Sequence, residues 1–270
     1  MTEKICAVDL GMPTLLEAAG AEESAALCAE LGLQFVELNM NLPEYADPAH
    51  MDREKLCALR EKYGVYFTLH LDERLDGCDF NPLVRNAYQE TLRRALELAQ
   101  EAEMPIVNLH LNHGVYFTLP GKKTYLYAER REEYLQHIDE MRRIGEEGAD
   151  ENIALCVENT DGFLAQEKKA LDLLMKSKRW GLTLDVGHMH SAGYVDDDVY
   201  IVHSGKLQHM HLHDALQMQA GQCHLPLGEG NLDWRDSLRT AEMRHCRAVI
   251  EVKTLSALRN SVKTLREAGK

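Results

Sequence analysis

The chain has 270 residues, a length that suits a single α/β barrel of about 250 residues. Hydrophobic residues make up 45% of the chain, enough to build a full core, and this composition excludes a disordered protein. A net charge of -14 repels polyanions and disfavours nucleic acid as a partner, because nucleic-acid binding depends on Lys and Arg. The seven cysteines include no C-x-x-C pair, the N-terminal residues contain no export signal, and no apolar run approaches about 18 residues. These features predict a reduced, cytoplasmic protein without a membrane span.

Short β-rich runs recur along the chain with helical patterns between them. The eight predicted strands cover residues 4–10, 35–39, 65–71, 105–111, 153–159, 181–187, 207–214 and 247–252. The segments between them, such as Leu83–Glu103 and Arg130–Gly148, repeat apolar residues at spacings of three and four, which is typical of amphipathic helices. Strands that alternate with helices in this way are parallel and joined by right-handed crossovers. The sequence therefore predicts a single-domain (β/α)8 TIM barrel.

The connection after the fourth predicted strand is longer than a crossover needs. Residues Val115–Tyr127 place two alternating aromatic runs, the first containing Tyr116, on either side of Pro120 and Gly121. This pattern fits either a β-hairpin that serves as a lid or an irregular surface loop. The sequence leaves both alternatives open.

The carboxyl ends of the strands carry the most informative residues, because in this fold they meet at one mouth where the chemistry takes place. Six consecutive predicted strands end at a potential metal ligand, and these residues are His70, His110, Glu158, Asp185, His211 and Glu251. One such residue alone is more often an ordinary hydrogen-bonded side chain. Six carboxylates and imidazoles that converge on one mouth would be costly to bury without a cation, so the sequence predicts a metal site.

The ligand types narrow the identity of the ion. Glu158, Asp185, His211 and Glu251 offer three carboxylates and one imidazole, which suit one Mn²⁺, Co²⁺, Mg²⁺ or Zn²⁺ ion and not copper. Three negative charges exceed the charge of one divalent ion. Either one glutamate therefore stays basic enough to move a proton, or His70 and His110 recruit a second cation.

Three further histidines lie near predicted strand ends. His188 follows the sixth strand through Gly187 and is expected over the mouth, whereas the direction of His190 is left open. His224 precedes a glycine-rich turn, and Asp233 behind it is a predicted N-cap of the helix that contains Trp234.

In the seventh strand, period-two alternation places His209, His211 and His213 on one face. His209 lies one layer deeper and is interpreted as a hydrogen-bonded core residue, while His213 is predicted at the rim, where it would orient a metal ligand. Glu37 and Asp9 are predicted to end the second and first strands and to line the mouth or floor. Four further histidines are interpreted as surface or packing residues, and they are His50, His137, His203 and His245.

The motifs at the strand ends occur in a familiar order. They are LH at strand three, NLHLNHG at strand four, VENTDG at strand five, LDVGHMHSAGY at strand six, MHLHDA and HLPLGEGNLDW at strand seven, and IEV at strand eight. Together they resemble the xylose-isomerase-like TIM-barrel superfamily over almost the whole chain. That superfamily includes ketose epimerases, inosose and hydroxypyruvate isomerase-type enzymes, and the endonuclease IV branch of abasic-site nucleases.

For the sugar enzymes, the resemblance implies that the four residues proposed as ligands hold the shared metal. It also implies that Glu158 and Glu251 transfer protons and that His188 binds substrate oxygens.

For the endonuclease IV branch, the resemblance places His70 and His110, with Glu158 as a bridge, at a second zinc, and His188 and His224 at a third. That branch has an aspartate two residues before the histidine equivalent to His224. This chain has Gln222 there, and a neutral amide is a poor zinc ligand.

Two functions follow from the residues and the resemblance. The preferred one is a divalent-metal-dependent sugar isomerase or epimerase that acts on a ketose or polyol through a metal-stabilised enediolate. Glu158 and Glu251 would act as base and acid, and His188 would stabilise the oxyanion. The alternative is an endonuclease IV-like zinc phosphodiesterase acting on abasic DNA, and the net charge and Gln222 weigh against it. The sequence does not identify the sugar, its phosphorylation or a homo-oligomeric state.

Overall fold

The computed structural model describes residues 5–219 and 222–268 and contains a closed barrel of eight parallel strands. The strands are β1 (Leu10–Pro13), β2 (Phe35–Asn39), β3 (Tyr66–His70), β4 (Ile106–His110), β5 (Tyr116–Leu119), β6 (Lys122–Tyr125), β7 (Ala154–Glu158), β8 (Trp180–Asp185), β9 (Leu207–Leu212) and β10 (Arg247–Ile250). The order around the barrel is β1-β10-β9-β8-β7-β4-β3-β2, and β5 and β6 pair separately with each other. The predicted (β/α)8 TIM barrel is confirmed.

Helices cover the outside of the barrel. They are α1 (Ala21–Glu30), α2 (Arg53–Tyr63), α3 (Pro82–Glu101), α4 (Leu126–Glu129), α5 (Arg131–Gly148), α6 (Ala165–Leu174), α7 (Val186–Ser191), α8 (Asp197–Val202), α9 (Trp234–Arg244) and α10 (Leu255–Ala268), with 3-10 turns at Pro48–His50 and Ser204–Lys206. The start of α9 is capped as predicted, because the Asp233 side chain accepts a hydrogen bond from the backbone N–H of Asp236. In the described part of the chain, no helix has the length and hydrophobicity needed to cross a bilayer.

The position of the first strand differs from the prediction. The predicted strand began at Lys4, which lies outside the described residues, and ended at Leu10, whereas β1 starts at Leu10 and continues through Pro13. Gly11 faces the ring of Phe35 on the neighbouring strand β2, and a Cβ on Gly11 would lie 2.4 Å from that ring. Only glycine therefore fits at this position of β1. Asp9 therefore precedes the strand and does not end it.

The inside of the barrel below the mouth is polar, while the apolar core lies between the strands and the helices. Thr183 donates to the side chain of Asn108, and Thr68 donates to Glu37, across the barrel interior. Alternate residues of the same strands, such as Leu69 and Val107, are buried in the apolar core. The polar interior gives the residues of the mouth a layer of fixed hydrogen-bonding partners.

The long connection after β4 is the β-hairpin that was one of its two predicted forms. β5 and β6 pair antiparallel around Pro120 and Gly121, and Gly121 has φ 81°, a left-handed conformation that suits the tight turn. Tyr116 is 47% exposed, and its ring lies 5.5 Å from that of Tyr125. The hairpin starts from the carboxyl end of its barrel strand and therefore stands on the side of the mouth.

Candidate active site

The structure brings together the four side chains that the sequence proposes as metal ligands. Glu158 ends β7, Asp185 ends β8, His211 lies one residue before the end of β9, and Glu251 follows β10 directly. One ligand atom from each of the four lies within 4.8 Å of the others. His211 Nδ1 is 3.1 Å from Glu158 Oε1 and 3.0 Å from Glu251 Oε2. We call these four residues the ligand quartet.

The quartet fits a divalent cation. Within the described ranges, both ring nitrogens of His211 and Glu251 Oε2 are buried and make no hydrogen bond of standard geometry. An unsatisfied buried polar atom costs about 1–3 kcal/mol. His211 Nδ1 and Glu251 Oε2 lie 3.0 Å apart, and a cation that replaces the Nδ1 proton could bind both atoms. Three carboxylates and an imidazole are ligands that Mn²⁺, Mg²⁺, Co²⁺ and Zn²⁺ accept.

The carboxylates of the quartet stay ionised because neighbouring histidines carry protons. Burial raises the pKa values of Glu158 and Glu251, but the attraction of the His211 ring outweighs it and holds both well below the usual range. Burial lowers the pKa of His211, and the attraction of Glu158 and Glu251 raises it well above its ordinary value. A cation bound here would replace the proton on Nδ1 of His211 and supply the positive charge that keeps Glu158 and Glu251 ionised.

Asp185 is fixed from several sides. It is the N-cap of α7, where its carboxylate accepts the backbone N–H of His188 at 2.6 Å. The amide side chain of Asn159 accepts from the backbone N–H of Asp185 at 2.9 Å and donates to its carbonyl at 3.0 Å. Both polar groups of the Asp185 peptide therefore have a side-chain partner.

His213 also holds Asp185. Its Nδ1 accepts the backbone N–H of His224 at 2.8 Å, so the ring hydrogen is on Nε2, which lies 2.9 Å from Asp185 Oδ1. His213 directly follows the last residue of β9, at the carboxyl end of the strand, and is fully buried. Gly187 makes this packing possible, since a Cβ there would lie 1.9 Å from the His213 ring. The predicted role of His213, to orient a metal ligand, agrees with these contacts.

A second cluster shares Glu158 with the quartet. His70 Nε2 and His110 Nε2 lie 3.2 Å and 3.1 Å from Glu158 Oε2, and Asn108 donates to the same oxygen. Burial lowers the pKa of His70, but its hydrogen bond to Glu158 and their attraction raise it to about 9. His110 Nε2 is buried without a hydrogen-bond partner in the described part of the chain. This cluster has the ligand atoms for a second cation, which would have to displace the His70 proton.

A third group of side chains lies beside Asp185. The Nε2 atoms of His188 and His224 are 3.2 Å apart, and His224 Nδ1 donates to the carbonyl of Glu251 at 3.2 Å. Burial lowers the pKa of His188, but the attraction of Asp185 outweighs it and raises the value to about 10. A proton on His188 Nε2 then lies between the two rings. Gln222 is exposed and stands outside this group of contacts.

Glu37 occupies a different place from the predicted one. It lies in the middle of β2, below the mouth, and does not end the strand. Its carboxylate is buried between the Nε2 atoms of His209, at 3.0 Å, and His211, at 2.9 Å. His209 is thus a buried, hydrogen-bonded core residue, as the sequence predicted. His190 lies away from the quartet, because its ring nitrogens contact Tyr194 and Asn231, each at 2.7 Å.

Sequence reasoning missed several residues of the site. Lys253 Nζ lies 3.2 Å from Glu251 Oε1. The two residues are two positions apart, a spacing that places side chains of an extended segment on the same face and could have indicated this contact. Asn108 precedes His110 by two residues and carried the same signal. Cys223 is a further residue of the site, and hydrogen bonds from His188 and His224 lower the pKa of its thiol to about 6. The partners of Asn159 could not be foreseen, because they depend on the turn from β8 into α7.

Comparison with known proteins finds a relative of similar sequence. The chain is 26% identical to the uncharacterized protein MJ1311 of Methanocaldococcus jannaschii over 217 residues, which are 77% of this chain and 71% of the relative.

Solved structures share the fold over nearly the whole chain. A D-tagatose 3-epimerase-like protein superimposes with a TM-score of 0.74 at 23% identity and covers 96% of both chains. An L-ribulose 3-epimerase gives a TM-score of 0.72 at 15% identity, and the IolI protein with a bound zinc atom gives 0.71 at 14% identity. Each of the last two alignments covers 97% of this chain and 95% of the other.

Sequence matching to protein families agrees with the structural likeness. Residues 25–268 match the family described as xylose isomerase-like TIM barrel, and this range includes every residue of the ligand quartet. The chain belongs to the xylose isomerase-like TIM-barrel family.

Proposed function

We propose that this protein is a divalent-metal-dependent sugar isomerase or epimerase that acts on a ketose or polyol through an enediolate. The convergence of Glu158, Asp185, His211 and Glu251 on one point of the mouth carries this proposal. The names of the structural neighbours support it, since several of them are sugar epimerases and one contains zinc. The bound cation would supply electrostatic stabilisation of the negative charge that develops on substrate oxygens.

Glu158 and Glu251 are the proposed acid and base. They come from β7 and from the end of β10, which are separated in the barrel by β8 and β9, so the two carboxylates approach the mouth from different sides. Proton removal on one face of a carbon and return on the other requires two such groups. Because both carboxylates contact His211, their protonation is coupled, and a change at one glutamate alters the proton affinity of the other.

His188 is the proposed stabiliser of the substrate oxyanion. In the metal-free protein, the attraction of Asp185 raises the pKa of His188 to about 10, so the ring is a hydrogen-bond donor beside Asp185. We further propose that the β5–β6 hairpin with Tyr116 closes over a bound sugar, since its apolar side chains are exposed. Val115, Phe117 and Leu119 are 63%, 56% and 46% exposed.

The experiment that tests this function is solvent-deuterium incorporation into a panel of ketoses, followed by NMR, with Mn²⁺, Co²⁺, Mg²⁺ or Zn²⁺ added in turn. We expect the wild-type protein to exchange a carbon-bound proton of at least one sugar and Glu158→Gln to lose exchange while it still binds that sugar. Glu167→Gln is the matched control, because Glu167 is equally buried but caps α6 and pairs with His113. Retained exchange in Glu158→Gln would rule out its role as acid or base.

The second candidate function is the zinc phosphodiesterase, and the cluster of His70, His110 and Glu158 favours it because it offers a second metal site. The net charge of -14 opposes DNA binding. Incubation of the zinc-loaded protein with abasic duplex DNA at moderate salt tests this alternative. Nicking at the abasic site would support it, and intact DNA together with deuterium exchange into a ketose would reject it.

A further inference from the structure

We propose that Glu37 is a positioning residue that keeps a proton on Nε2 of His211 and so presents Nδ1 to the cation. The inference deepens the proposed function and rests on the metal dependence proposed there. It starts from a buried group of three residues, Glu37, His209 and His211, that lies directly below the ligand quartet.

The two nitrogens of His211 face in different directions. Nδ1 faces the quartet, where Glu158 and Glu251 lie at 3.1 Å and 3.0 Å, and Nε2 faces Glu37 Oε1 at 2.9 Å. A carboxylate oxygen and a ring nitrogen this close cannot both present lone pairs, so we assign the hydrogen to Nε2 from the 2.9 Å contact, although Nε2 makes no hydrogen bond of standard geometry among the described residues. A cation can then bind only at Nδ1, and it does so without competition from the second nitrogen.

Glu37 is itself held firmly. It is 2% exposed, and its second oxygen accepts from His209 Nε2 at 3.0 Å and from Thr68 Oγ1 at 3.1 Å. These two donors occupy Oε2 and leave Oε1 for His211. The carboxylate therefore cannot rotate away without the loss of two buried hydrogen bonds, each of which contributes about 0.5–1.5 kcal/mol.

The chemical consequence concerns the strength of the metal ligand. A carboxylate that accepts the N–H of a metal-binding histidine fixes the ring orientation and raises the basicity of the other nitrogen, and loss of such a partner typically weakens metal binding about 10- to 100-fold. Glu37 stands in this relation to His211, from the barrel interior and out of reach of the mouth. A purely structural role would instead make Glu37 important for folding and irrelevant to metal affinity.

The test compares Co²⁺ affinity, measured by competition with a chromophoric chelator, and the visible absorption spectrum of the Co²⁺ complex in four proteins. These are the wild type, Glu37→Gln, Thr68→Val and Glu167→Gln. Thr68→Val removes one donor to Oε2 and leaves the contact with His211. Glu167→Gln alters an equally buried glutamate that pairs with His113 Nδ1 at 2.7 Å.

We expect Glu37→Gln to bind Co²⁺ about 10- to 100-fold more weakly with an altered spectrum, and the other two variants to stay within about threefold of the wild type. Should Glu37→Gln not fold, Glu37→Asp replaces it, because the shorter side chain keeps the charge but cannot reach both histidines. Equal affinity in the wild type and the Glu37 variant would overturn this inference alone. Absence of Co²⁺ binding by the wild type would overturn both the inference and the metal-dependent function.

Discussion

Replacement of Asn159 by alanine should destabilise the protein and weaken its metal site together. Asn159 is 1% exposed and holds both polar groups of the Asp185 peptide, with the hydroxyl of Tyr200 as a third partner at 2.6 Å. The substitution leaves the buried N–H of Asp185 without a partner, which costs about 1–3 kcal/mol, and removes a second hydrogen bond worth about 1 kcal/mol. We therefore expect a loss of about 2–4 kcal/mol in the free energy of unfolding, because Tyr200 keeps its bond to the carbonyl of Thr183.

Urea denaturation measures this loss, and titration with Mn²⁺ or Co²⁺ measures the accompanying fall in affinity. The matched control is Asn81→Ala, which removes the exposed cap of α3 and should cost about 1 kcal/mol without an effect on metal affinity. A loss below about 1 kcal/mol in Asn159→Ala, or unchanged metal affinity at full destabilisation, would show that Asn159 does not support Asp185.

Two further predictions concern titration. Because the folded-state pKa values of His70 and His188 are raised to about 9 and about 10, their stabilising effect is complete below the unfolded value near 6.5 and is lost as pH rises through 9 to 10. Between about pH 6.5 and 9, the free energy of unfolding of the metal-free protein should fall by up to about 3 kcal/mol through His70, at about 1.4 kcal/mol per pKa unit. A free energy of unfolding that does not change with pH would contradict the raised pKa of His70. Cys223, with a thiol pKa of about 6, should be the cysteine that iodoacetamide labels fastest at pH 7 in the metal-free protein. Peptide mass spectrometry would identify the labelled residue, and faster labelling of the buried Cys28 would refute the prediction.

Much of this architecture could be predicted from the sequence, because hydrophobic periodicity and the residue types at strand ends depend only on neighbouring positions in the chain. Seven of the eight predicted barrel strands overlap the observed ones closely, and Glu158 and Asp185 end their strands as predicted. The first strand was misplaced because Gly11 and Pro13 are typical of turns. Here Gly11 is required by the close approach of Phe35, a contact that depends on the barrel itself.

The supporting residues were harder to predict because their roles arise between strands that are distant in sequence. Glu37 meets His209 and His211 only when β2 and β9 face each other across the barrel. The burial of His213 could not be predicted, because alternation gives the face of a residue but not what covers it. The helix α7, which buries His213, starts at once after β8, and the sequence showed there only a glycine turn.

The central claim is that the ligand quartet holds a metal ion, and elemental mass spectrometry of protein purified without chelator or added metal tests it most directly. We expect close to one Mn, Co, Mg or Zn ion per chain in the wild type and loss of that ion in Asp185→Ala. Two or more tightly held Zn per chain would shift the function toward the phosphodiesterase, and a chain that holds no divalent metal and acquires none on dialysis against it would contradict the account.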